Sequence, residues 1–208
     1  VFIGNESIGA RPTEFVGDRS GKNSQHACEL YINQGNGTFV NEALAAGVAI
    51  QGFVKGVTWG DYNNDGLMDI YVSILRGSNL LFQNQGIDSA GIPHFIDMAE
   101  KAGVTEPYYS FPTWFWDYDN DGLEDIFVAG YRADTGDIAA EFLNIPHSGE
   151  TPRLFRNNGD GTFQNITVDI GLDRILYAMG CNFGDLDNDG FLDFYVGTGD
   201  PDFRMLIP

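Results

Sequence analysis

Asp61-Tyr62-Asn63-Asn64-Asp65-Gly66-Leu67-Met68-Asp69 recurs as Asp117-Tyr118-Asp119-Asn120-Asp121-Gly122-Leu123-Glu124-Asp125 and again as Asp185-Leu186-Asp187-Asn188-Asp189-Gly190-Phe191-Leu192-Asp193. Each copy sets oxygen-bearing side chains at positions 1, 3, 5 and 9 and a glycine at position 6. A short backbone wraps a hard, oxygen-preferring cation with that spacing, and glycine takes the positive φ of the sharp turn. Four carboxylates or amides within nine residues repel one another unless a cation neutralises them. A solvated acidic turn is the bland alternative for one copy, but three copies with the same spacing and flanks weigh against it. We read the loops as three calcium sites.

The flanks decide which kind of loop this is. An EF-hand needs a bidentate glutamate at position 12 and helices on either side. Position 12 is Val72, Val128 and Val196 here, inside the strand-forming runs Ile70-Tyr71-Val72-Ser73, Ile126-Phe127-Val128-Ala129 and Phe194-Tyr195-Val196-Gly197. Val57-Thr58-Trp59-Gly60, Thr113-Trp114-Phe115-Trp116 and Asn182-Phe183-Gly184 precede the loops and are strand-like as well. EF-hand and dockerin-type loops are therefore excluded. Each loop is predicted to be a β-hairpin tip whose last acid is at position 9.

A second element alternates with the first. Leu30-Tyr31-Ile32-Asn33-Gln34-Gly35-Asn36-Gly37-Thr38-Phe39 matches Leu154-Phe155-Arg156-Asn157-Asn158-Gly159-Asp160-Gly161-Thr162-Phe163, both hairpins turning on Asn-Gly or Asp-Gly. Leu80-Leu81-Phe82-Gln83-Asn84-Gln85-Gly86 begins a third copy, with a longer turn before His94-Phe95-Ile96-Asp97. Small-residue stretches closing on Gly47, Gly103 and Gly171 follow and are predicted to be single helical turns with glycine caps. The unit is strand, acidic loop, strand, then strand, tight turn, strand, with 56 and 68 residues between successive first aspartates. Four antiparallel strands per unit predict a propeller blade. The fold class is all-β, a partial β-propeller.

With both motifs in place, the chain resembles a known family. The Phe/Trp-Gly-Asp-x-Asp/Asn-x-Asp-Gly-x-x-Asp pattern is similar to the FG-GAP or VCBS repeat of integrin-α-like propellers, and Leu154 to Phe163 resembles the subgroup found in ASPIC/UnbV and cartilage-acidic-protein relatives. The resemblance covers roughly residues 28–200. It implies calcium loops joining the first and second strands of each blade, and a secreted or cell-surface setting. Carried over, the ligands would be Asp61, Asn63, Asp65 and Asp69; Asp117, Asp119, Asp121 and Asp125; and Asp185, Asp187, Asp189 and Asp193, completed by the carbonyls of Leu67, Leu123 and Phe191. Asn63 departs from the aspartate pattern, removing one charge and predicting a weaker first site. Trp116 departs where the other copies have Gly60 and Gly184, predicting different packing or an exposed aromatic.

Val1-Phe2-Ile3-Gly4 aligns with Ile70-Tyr71-Val72-Ser73, and Phe203 to Pro208 aligns with the approach to a third strand. The expectation is an arc of a larger ring, one propeller segment over residues 1–208. Two complete four-stranded blades, at 56–104 and 113–172, stand between partial blades at 1–50 and 178–208. Residues 131–152 interrupt the second complete blade; a loop that long inside a repeat is usually functional or disordered. Residues 4–25 read as an irregular surface loop.

The net charge of −19 repels nucleic acid and anionic membranes. Each dication removes two negative charges, so three would leave −13. No apolar run has the length of a membrane span. Cys28 and Cys181 lie on different blades and are expected as buried free thiols. His26, His94 and His147 show no metal spacing, no nucleophile elbow or phosphate loop is present, and a calcium-bound carboxylate is a poor general base. The sequence therefore reads as an extracellular calcium-binding scaffold for a protein or glycan ligand, without a catalytic group. Candidate contacts are the 131–152 insertion and the aromatics from Tyr108 to Trp116, although space-filling between blades, as expected of Trp59 and Phe183, is the more ordinary account of such aromatics. One alternative is part of a propeller-fold carbohydrate-active enzyme such as a polysaccharide lyase. That would need a cationic cluster, for which Arg132, Arg153, Arg156 and Arg174 are the candidates. The other is a purely structural spacer.

Overall fold

The structure is a computed structural model describing residues 1–6 and 26–198. Most of the 4–25 segment and the approach to a further strand at 203–208 lie outside the described residues. Four antiparallel sheets follow one another along the chain. The first joins β1 (Phe2–Ile3), β2 (Glu29–Asn33) and β3 (Phe39–Asn41). The second joins β4 (Val54–Gly60), β5 (Asp69–Ile74), β6 (Leu80–Ile87) and β7 (Pro93–Asp97) in sequence order. The third joins β8 (Ser110–Trp116), β9 (Asp125–Gly130), β10 (Arg153–Asn157) and β11 (Phe163–Asn165), and the fourth pairs β12 (Ala178–Gly184) with β13 (Asp193–Thr198). The chain is an open arc of a propeller, with two four-stranded blades between smaller sheets.

Register places the acidic loops at hairpin tips. Gly60 pairs with Asp69, Trp116 with Asp125 and Gly184 with Asp193, so position 9 is the first residue of each second strand. All six residues of β5 and of β9 are buried. A strand covered on both faces needs continuous apolar residues instead of alternation, which explains Ile70-Tyr71-Val72 and Ile126-Phe127-Val128. Tyr71 packs to one side with Leu81, Phe115, Ile126 and Phe155, while Ile70 and Val72 pack to the other with Phe2, Leu30 and Phe82. Trp114, Trp116, Phe127 and Leu154 form the third cluster, against Phe194 and Val196. The core is thus three apolar layers, each between successive sheets.

Several expectations need correction. All three small-residue stretches turn onto a left-handed glycine as expected, but only one is long enough to count as a helix, α1 (Ala99–Ala102), closed by Gly103. Residues 43–47 and 167–171 form hydrogen-bonded turns that end on left-handed Gly47 and Gly171, too short to repeat a helical bond. The 131–152 insertion is not irregular throughout: it carries α2 (Thr135–Phe142), whose Asp134 and Asp137 cap each other reciprocally. Trp116 is buried, edge-on to Trp114 at 5.9 Å and to Phe194 at 5.5 Å. Trp59, expected to fill the space between blades, is 59% exposed, whereas Phe183, although 41% exposed, does pack between blades, with its ring centroid 6.2 Å from those of Trp114 and Trp116. Trp59 borders a cavity of about 300 Å³ beside Val1, Phe2 and Leu30, because the short strands of the first sheet cover it incompletely. Phe183 lies on a sheet of two strands. Cys28 and Cys181 are both free thiols as expected, but only Cys28 is buried; Cys181 is partly exposed.

Candidate metal-binding loops

Each loop is folded by its own acids. The position-1 aspartate accepts from two backbone N–H groups: Asp61 from Asp65 (3.0 Å) and Gly66 (2.8 Å), Asp117 from Asp121 (3.0 Å) and Gly122 (2.9 Å), Asp185 from Asp189 (3.1 Å) and Gly190 (3.0 Å). The position-5 carboxylates of Asp65, Asp121 and Asp189 accept from the N–H of Leu67, Leu123 and Phe191 at 2.8, 2.9 and 2.9 Å. Asn64, Asn120 and Asn188 at position 4 are left-handed, with φ of 55°, 58° and 61°, a conformation asparagine tolerates better than other side chains. The carbonyls of Leu67, Leu123 and Phe191 accept no hydrogen bond among the described residues, so their lone pairs are available.

Position 9 does a different job. Asp69 Oδ2 accepts from the Tyr62 N–H at 3.2 Å and Oδ1 from the Asn84 N–H at 2.7 Å. Asp125 repeats the pattern with Tyr118 at 3.1 Å and Asn157 at 2.8 Å. One carboxylate therefore closes its loop and ties it to the third strand of the blade. Both groups are fully buried. Burial is the main reason that Asp69 is pushed up to about 7 and Asp125 to about 6, with neighbouring loop acids adding to the rise against their backbone hydrogen bonds. A bound dication would reverse that balance. Among the described residues Asp193 shows only the loop-closing bond, from the Leu186 N–H at 2.9 Å.

The three sets differ in how far they converge. One carboxylate oxygen each from Asp117, Asp119 and Asp125 lies within 4.8 Å of the others, as do those of Asp185, Asp187 and Asp193. The first loop forms no such triad among the described residues; its Asn63 amide instead donates to Asp65 Oδ2 at 2.9 Å. In the second loop Asp119 Oδ1 is buried without a hydrogen-bond partner. A buried orphan carboxylate oxygen beside two further carboxylates fits a hard cation, which would supply the missing contact.

Residues outside the predicted sets complete the region. Asn84 and Asn157, at the same place in the repeated hairpin, donate their side-chain amides to the Met68 carbonyl (3.1 Å) and to the Glu124 and Tyr62 carbonyls (3.0 and 2.7 Å). Their recurrence beside Asn33 was the available signal. Neighbouring loops are also linked: Asn64 donates to the Gly122 carbonyl at 3.4 Å and Asn120 to the Gly190 carbonyl at 2.8 Å. Glu124 reaches back to the Asp61 backbone, and burial, then the Asp61 and Asp117 charges, hold its pKa above the usual range. Arg156 grips Asp119 and Asp121 at 2.9 and 3.2 Å.

The other candidate cations occupy separate surroundings. Arg132 lies over the Tyr109 ring, Arg153 pairs with Glu106 at 3.1 Å, and Arg174 borders the insertion. His94 is 3.1 Å from Asp88. Trp114, Phe115 and Trp116 are buried, whereas Tyr108 is exposed. None of the described helices is long and apolar enough to cross a membrane.

Comparison with known proteins gives concordant matches. The model of the FG-GAP-like repeat matches residues 15–72 and 117–196, more than half of the chain. Cartilage acidic protein 1 of Mus musculus is 30% identical over 178 residues, 82% of this chain and 25% of that protein. The Homo sapiens protein of the same name is also 30% identical over 178 residues, covering 82% of this chain and 24% of its own length. The chain spans about a quarter of the length of these curated relatives.

Proposed function

This chain belongs to the FG-GAP-like repeat family, and from that membership we propose that it is a calcium-stabilised propeller segment serving as an extracellular binding scaffold. The observation that carries the metal reading is the convergence of Asp117, Asp119 and Asp125 around an orphaned buried oxygen, repeated without the orphan at Asp185, Asp187 and Asp193. In this reading the ligands are the side chains at positions 1, 3, 5 and 9 and the carbonyl at position 7 of each loop, for about three ions. Calcium supplies charge neutralisation and oxygen coordination there. The protein's own residues do the shaping: the position-1 acid folds the turn, and the position-9 acid anchors it to the blade. Extracellular modules work with sites of about 10⁻⁴ to 10⁻³ M, which suits loops as exposed as these.

Ligand recognition belongs, in this reading, to the insertion. A cavity of about 590 Å³ is lined by Ile138, Phe142, Ile145, His147, Arg174 and Ile175, among others, a volume within the usual range of ligand sites. Phe142 and Leu143 beside it are largely exposed. A protein or glycan ligand is the expected partner, and the sheets act as blades of one propeller. Equilibrium dialysis with radiolabelled calcium tests the metal reading: about three ions per chain are expected, with magnesium a poor competitor. Fewer than one ion per chain at millimolar calcium would overturn it.

A further inference from the structure

The three loops serve as controls for one another. In the first, the Asp65 N–H is shared between Asp61 Oδ1 at 3.0 Å and Asn63 Oδ1 at 3.1 Å. In the third, the Asp189 N–H is likewise shared between Asp185 Oδ1 at 3.1 Å and Asp187 Oδ1 at 3.2 Å. In the second, the Asp121 N–H donates to Asp117 Oδ1 alone, and Asp119 Oδ1 is left buried and unpartnered. The loops share a backbone course, with left-handed residues at positions 4 and 6 in each, so the difference arises from side chains. The second loop is also the one that receives an arginine. Arg156, on the third strand of the same blade, donates from Nε to Asp119 Oδ2 at 2.9 Å and from a terminal nitrogen to Asp121 Oδ2 at 3.2 Å. The corresponding residue of the preceding blade is Gln83, for which no loop contact exists among the described residues.

We propose that Arg156 is a positioning residue for the second loop, holding the outer oxygens of Asp119 and Asp121 so that Asp119 Oδ1 is released toward the ion. The inference rests on the reading of the loops as cation sites. A planar guanidinium fork fixes two carboxylates at once, which neither glutamine nor the point charge of lysine can do. Holding the non-coordinating oxygen orients a ligand before the ion arrives, and loss of such an outer partner typically lowers metal affinity about 10- to 100-fold. The guanidinium also repels a dication, but it is half-exposed at 44% and its charge is partly screened by solvent.

The test is a calcium titration followed by amide NMR of Gly66, Gly122 and Gly190, one reporter per loop. In Arg156→Gln the Gly122 midpoint should rise about 10- to 100-fold while the Gly66 and Gly190 midpoints hold, and Arg156→Lys should recover only part of the loss. An unchanged or lowered Gly122 midpoint in Arg156→Gln, or full recovery by lysine, overturns the proposal. If none of the three glycines responds in the unaltered protein, the cation reading itself fails and the clamp falls with it. The exposed position of Arg156 keeps both variants within reach of the native fold, which the unshifted signals of the other two loops verify.

Discussion

A single carboxylate at position 9 joins two pieces of backbone that are otherwise far apart. Asp125 connects the start of its loop to a strand 32 residues further on, and Asp69 does the same over 15 residues. Roles of this kind were only partly legible in the sequence. The acids at positions 1, 3, 5 and 9 stood out because side-chain type and short-range spacing define them. Arg156 stood out only as one of four candidate cations; its grip on the loop did not, because its partners are 37 and 35 residues away. The expected free thiols lead to a pH-dependent prediction. Burial pushes the Cys181 thiol up to about 11, and Cys28, more deeply buried, is also raised. Only the thiolate attacks a disulfide reagent, so at pH 8 about one native Cys181 in a thousand is reactive. Native protein should therefore react with a chromogenic disulfide at least tenfold more slowly than urea-unfolded protein, and faster as pH rises from 8 to 10. Equal rates in the two states would contradict the burial.

At the scale of elements, the residue before an acidic loop and the residue at position 8 of the following loop are matched in the two such pairs among the described residues. Gly60 faces Glu124: a methyl group at Gly60 would lie 1.8 Å from the Glu124 carboxylate and 2.9 Å from the Phe115 ring. Trp116 has Leu192 in its cluster instead. The unlike pair at Trp116 was visible as a departure from the repeat, but its burial depends on the blade packed against it, which pattern alone does not specify. The helix in the insertion was missed for a local reason. Its capping pair is Asp134 and Asp137 with Gly136 between them, which reads as a turn, and the helix is only 8 residues long. The matching predicts a coupled energy. Gly60→Ala should cost about 1–3 kcal/mol by overpacking, and in a Glu124→Ala background about 1 kcal/mol of that cost should vanish. Urea unfolding of the four proteins measures the cycle, and strict additivity would show that the two loops do not share this contact.

The whole molecule has three apolar layers between sheets in place of one central core. The propeller arrangement was legible because two different motifs alternate with a constant order, and alternation of that kind leaves few architectures open. The exposed Trp59 and the partial covering of the first sheet were not, since they depend on what lies against a face. Stability in such an array is a sum of blade and neighbour terms, and the loops lie on that path, linked by Asn64 and Asn120. The chain carries a charge of −19, so cation binding at the loops should act on the fold as a whole. Thermal unfolding in calcium against unfolding in chelator, with magnesium as the control, tests this most directly. At a hundredfold excess over Kd each filled site adds about 2.7 kcal/mol, and 1 kcal/mol moves the Tm of a chain this size by about 2–4 °C. The account predicts a calcium-selective rise of about 5 °C or more per site; identical melting in calcium, magnesium and chelator would contradict it.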